Sequence, residues 1–94
     1  MDERQELARE FASRSGWGTA DMMALAGDAS ARRYFRLDNG AGGRAVLMDA
    51  PPAAGQSVKP FLDVAAYLHG LSLSAPVIEA YDEARGFVLM EDLG

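Results

Sequence analysis

Three arginines crowd a short stretch of an otherwise acidic chain. In Gly27-Asp28-Ala29-Ser30-Ala31-Arg32-Arg33-Tyr34-Phe35-Arg36-Leu37, a small, flexible turn leads into alternating residues, and no acidic side chain intervenes between Asp28 and Asp38. The protein as a whole carries a formal net charge of −5. A local positive site in such a chain invites an anionic ligand. A guanidinium binds phosphate through two parallel hydrogen bonds, so these arginines are the first candidates for chemistry. The plainer alternative is that they are solvated on a hairpin.

What the chain lacks narrows that chemistry. Zero cysteines exclude disulfides and thiolate catalysis and fit a reducing compartment. A single histidine excludes the usual zinc constellations. A pI near 4.6 argues against general nucleic-acid binding, which needs a basic face broader than one small patch. With 49% hydrophobic and 24% charged residues the composition is that of a soluble globular protein. No apolar run approaches the roughly 18 residues of a membrane span. The acidic start Met1-Asp2-Glu3 is unlike a secretory signal, so the cytoplasm is the expected compartment. Ninety-four residues make one small domain, whose core alone would be marginal.

The elements that must position the arginines follow from periodicity. Leu7 and Phe11, four apart with Ala8 and Ala12 beside them, predict an amphipathic helix over 3–14, with Gly16 just past its end. Trp17 is expected to pack back onto that helix rather than to serve as a stacking platform. A first strand is expected over 22–26. The alternating run that follows is the second, with Arg32, Tyr34 and Arg36 on one face and Arg33, Phe35 and Leu37 on the other. Asp38-Asn39-Gly40 and Ala41-Gly42-Gly43 make a hairpin loop, and 44–49 the third strand, stopped by Pro51-Pro52. Ser57 is a fair N-cap for a second helix, with Pro60 in its first turn and Val58, Phe61, Leu62, Ala65 and Leu68 as its buried stripe. His69 ends it as a dipole-facing, capping residue. After a connector over 72–76 come two more strands, 77–81 and 86–90, joined by the turn 82–85. The expectation is an α+β layer: five mostly antiparallel strands, one helix packed on a face, and an N-terminal helix besides. A chain stopping at Glu91-Asp92-Leu93-Gly94, straight after an apolar strand, reads as part of a longer protein.

Three segments then coincide: 27–37 as quoted, Val46-Leu47-Met48-Asp49-Ala50-Pro51-Pro52, and Gly86-Phe87-Val88-Leu89-Met90-Glu91-Asp92-Leu93-Gly94. In order and approximate spacing they resemble the N-terminal lobe of the aminoglycoside phosphotransferase family. The resemblance is closest to that family's bacterial kinases of the cell-wall amino sugars N-acetylmuramate and N-acetylglucosamine. It implies a protein-kinase-like N-lobe over 1–94, the nucleotide-binding part of a phosphotransferase. It also implies ATP with Mg²⁺ as cofactors, and as partners the nucleotide, a small-molecule sugar and the chain's own C-terminal lobe, with neither nucleic acid nor membrane.

By that resemblance, Asp28, Ser30, Arg32 and Arg33 belong to a nucleotide-positioning loop over the phosphates. One glycine, Gly27, stands where protein kinases have three, so Ser30 and Arg32 or Arg33 would substitute for backbone contacts. Ala45-Val46-Leu47-Met48 overlies the third-strand pattern Val-Ala-Ile-Lys, with Met48 where the phosphate-binding lysine is expected. Lys59 is the only lysine, and Asp63 the best candidate for the second helix's acidic partner. An arginine is favoured over Lys59 for the phosphate contact. Val46, or Ala45 and Leu47, would roof the base, depending on which face turns inward. Met90 would be the gatekeeper, with the Glu91 carbonyl accepting from the adenine amino group and the Leu93 N–H donating to the ring. The family's catalytic loop has no counterpart in this chain, since Gly70-Leu71 follow the only histidine. Catalytic base and Mg²⁺ ligands are thus expected in the C-terminal lobe, and residues 1–94 alone are expected to be inactive. The competing expectations are an aminoglycoside or other small-alcohol kinase, and a non-catalytic interaction module or pseudokinase lobe, for which Met48 speaks.

Overall fold

Alternating apolar residues on three of the strands give the sheet two buried faces, and a different helix covers each. The computed structural model describes residues 3–25, 33–51, 58–71 and 77–92. Its elements run α1 (Glu3–Ala12), β1 (Asp21–Leu25), β2 (Arg33–Asp38), β3 (Arg44–Asp49), α2 (Lys59–Gly70), β4 (Ile78–Asp82) and β5 (Phe87–Glu91). The strands form one sheet in the order β1-β2-β3-β5-β4. Every pairing is antiparallel. This is the α+β kinase-like N-lobe architecture expected from the sequence, with strand limits within a residue of the expected ones.

The two faces sort by parity. Phe35 and Leu37 of β2, Ala45 and Leu47 of β3, and Phe87 and Leu89 of β5 make one core with Ala8, Phe11 and Ala12 of α1. Phe11 stacks on Phe87 with ring centroids 5.6 Å apart. Burying a ring of this size is worth about 2–3 kcal/mol, so this contact alone goes far towards docking a ten-residue helix. Trp17 packs against the same cluster, as expected. Met48 and Ala50, with Val88 and Met90 of β5, make the second core under Val58, Phe61 and Leu62 at the start of α2. The expected single helix-covered face is therefore half of the picture: α1 closes the other.

Local chemistry sets the ends of the elements. Past Ala12 the first helix widens into a π-type turn over Ser13–Trp17, where Gly16 takes φ +92°, a conformation a side chain disfavours. The β2–β3 hairpin closes on Asn39, whose Oδ1 accepts from the N–H groups of Ala41 (2.8 Å) and Gly43 (2.9 Å). Between β4 and β5, Gly86 takes φ +82°. Its N–H donates to the Asp82 carbonyl and its carbonyl accepts from Ala50, each at 2.8 Å. The Ser57 cap, the connector over 72–76 and the side chain of His69 lie outside the described residues.

Candidate functional site

The face that α2 covers also holds the residues singled out in β3 and β5. Register makes two rows across the sheet. Arg36, Val46, Met90 and Ile78 are successive partners, and so are Tyr34, Met48, Val88 and Tyr81. Val46 thus shares a face with Met48 and Met90, while Ala45 and Leu47 turn toward α1. Val58, just before α2, and Phe61 and Leu62 of α2 pack into the Met48 cluster, and Met48 has no exposed surface. Val46 and Arg36 remain half-buried beside the end where β5 leaves the sheet, and on the next row Tyr34 is half-buried and Tyr81 exposed.

Contacts on both sides hold that exit. On the β4 side, Val77 N–H donates to Glu91 Oε1 (3.0 Å) and Glu91 N–H donates to the Val77 carbonyl (2.9 Å). On the β2 side, Arg36 Nε lies 2.8 Å from Asp92 Oδ2 in an ion pair that skips across β3.

Arg33 goes elsewhere. It lies on the α1 face, with its guanidinium 5.9 Å from the Phe35 ring centroid and Nη2 3.1 Å from Asp49 Oδ2. Asp49 is the one buried charged residue among the described ones, and it has a second cation. Arg4 of α1 donates to Asp49 Oδ1 through Nε (3.0 Å) and again through Nη2. Arg4 Nη2 also reaches the Arg85 carbonyl (2.8 Å), and its guanidinium lies over the Phe87 ring at 4.5 Å. A buried carboxylate left unpaired costs several kcal/mol, so this cluster fixes both α1 and the start of β2. The sequence reading missed it, although the alternation Ala45, Leu47, Asp49 puts a carboxylate in a core register that demands cations.

Lys59 pairs with Asp63 one turn on, at 3.3 Å and with both side chains largely exposed. The two line an open groove of about 530 Å³ between α2 and β4, with Leu62, Ala65, Ile78 and Tyr81. None of Tyr34, Arg36, Val46, Met48 or Met90 lines it. Among the described residues no three His, Cys, Asp or Glu side chains come together to hold a metal. Among the described residues no helix is long and apolar enough to cross a membrane. Asp28, Ser30, Arg32 and Leu93 lie outside the described residues.

The five-stranded antiparallel sheet with one helix on each face defines a kinase-like N-terminal lobe. The chain belongs to the phosphotransferase enzyme family (APH), whose model matches residues 21–94. It is 43% identical over 82 residues to the N-acetylmuramate/N-acetylglucosamine kinase of Pseudomonas aeruginosa, covering 84% of this chain and 24% of that one. It is 41% identical over 83 residues to the kinase of the same name from Pseudomonas putida, covering 85% and 24%. The kinase of that name from Caulobacter vibrioides is 33% identical over an alignment covering 98% of this chain and 32% of its own. The chain thus spans about a quarter to a third of the length of the curated relatives it matches.

Proposed function

We propose that this chain is the ATP-binding lobe of a sugar phosphotransferase that transfers the γ-phosphate of ATP to a hydroxyl of a cell-wall amino sugar. The observation that carries the reading is the match to kinases named for N-acetylmuramate and N-acetylglucosamine over more than four-fifths of the chain. The sheet geometry supports it. Val46 is an apolar, half-buried surface beside the exit of β5, where a flat base can lie against a strand and meet backbone groups of the chain beyond Met90. Arg32, with Asp28 and Ser30, would meet the phosphates. Arg33, engaged with Asp49 on the α1 face, would instead set the start of β2 that carries that loop. Mg²⁺ would neutralise the triphosphate, held by residues outside this chain.

Met48 favours a second reading. A buried methionine at the lysine position removes one phosphate contact, as a non-catalytic kinase-like lobe would. The test is ADP release by the full-length protein supplied with ATP and Mg²⁺. Release with N-acetylmuramate or N-acetylglucosamine, and not with kanamycin, is the expected result. Release with kanamycin alone would make it an aminoglycoside kinase, and no ADP release with any of these acceptors would favour the non-catalytic lobe.

A further inference from the structure

The Arg36–Asp92 pair has a geometry that strand pairing does not require. β5 ends at Glu91, so Asp92 lies beyond the ladder, yet its side chain is only 8% exposed. Arg36 is two strands away across β3, on the row that continues through Val46 to Met90. Its Nε is buried and meets the Asp92 carboxylate at 2.8 Å in an ion pair. A long side chain has been spent on crossing the face at its open end, to hold one residue just outside the sheet. Breaking such a pair leaves an uncompensated charge in a poorly hydrated place. The residue before it, Glu91, is tied to Val77 on the opposite side.

We infer that Arg36 and Asp92 are positioning residues that hold the chain leaving β5 at a fixed height beside Val46 and so set the slot into which the base of the nucleotide enters. This rests on the nucleotide-binding reading above. The pair touches no reacting atom. It acts through the backbone of residues 91 and 92, whose placement decides whether base and strand end meet, and misplacement of about 1 Å costs binding contacts steeply. The residues proposed to meet the phosphates, Asp28, Ser30 and Arg32, precede β2 in the chain, whereas this pair acts at the exit of β5, so its effect is expected on the base.

The test uses the full-length protein with Arg36→Met, Asp92→Asn and the double variant, and Arg36→Lys as a charge-keeping substitute should the methionine variant fold poorly. Three quantities are read: KM for ATP, kcat, and the inhibition constant of adenosine, a ligand with the base and no phosphate. Each single variant is expected to raise KM for ATP and the adenosine constant in parallel, by about five- to tenfold, with kcat within about twofold and the double variant no worse than either single. Additive effects, or an adenosine constant that stays put while KM or thermal stability changes, would overturn the inference and leave the nucleotide reading standing. A wild-type protein that neither turns over ATP nor binds adenosine would overturn that reading, and this inference with it.

Discussion

Asp49→Asn is the perturbation whose size the structure predicts best. The carboxylate is fully buried and receives Arg4 Nε at 3.0 Å, Arg4 Nη2, and Arg33 Nη2 at 3.1 Å. Asparagine keeps the volume but removes the charge, and turns part of the group into a donor facing two guanidinium donors. Breaking a buried pair costs about 3–5 kcal/mol. Arg4 and Arg33 are 24% and 39% exposed and regain water when freed, which brings the expected loss to about 2–3 kcal/mol. That corresponds to roughly 30- to 160-fold more frequent opening of the lobe. Hydrogen exchange of the β3 and β5 amides in the full-length protein measures it, as a matching loss of protection at Leu47 and Val88. Asp63→Asn, which removes the exposed Lys59 pair, is the control and should change opening by less than about 0.5 kcal/mol. An Asp49→Asn protein protected within about threefold of wild type would refute the claim that this carboxylate anchors α1 and β2.

Three further outcomes follow from the same geometry. Met48→Lys places an ammonium among Val58, Val88 and Met90 and should lower thermal stability without improving kcat/KM for ATP, a loss of several kcal/mol if the side chain stays buried. Arg32→Ala should raise KM for ATP about fivefold at nearly constant stability, whereas Arg33→Ala should chiefly lower the melting temperature, its guanidinium being held by Asp49; steady-state kinetics and thermal melts separate the two. Gly86→Ala forces a side chain into a φ of +82° and should cost about 1–2 kcal/mol, read as a lower urea midpoint with unchanged slope.

The sequence made the local half of the fold legible. Alternation in Arg33 to Leu37 and the Asn39-Gly40 turn specify the β2–β3 hairpin, and the Leu7 and Phe11 spacing specifies α1. Placement was not legible in the same way. That β5, and not β4, sits next to β3 depends on pairings between residues 45–49 and 87–91, which no local pattern encodes. Amphipathicity says that α1 must bury a face but not that it lies on Phe87, opposite α2. For the site, parity already grouped Val46 with Met48, while the inward face was set only by α1 claiming Ala45 and Leu47. The arginines looked alike in sequence and separate in space. Arg33 turns to Asp49 and Arg36 to Asp92, because neighbours on a strand face opposite sides.

The central claim is that the open end of the α2-side face, at Val46 and the exit of β5, takes the base of ATP. Photolabelling of the full-length protein with 2-azido-ATP, followed by peptide mapping, tests it most directly. The account predicts label within residues 44–48 or 90–94, suppressed by excess ATP and weakened in Asp92→Asn. Saturable label confined to α1, or to the α2–β4 groove around Lys59 and Tyr81, would contradict it.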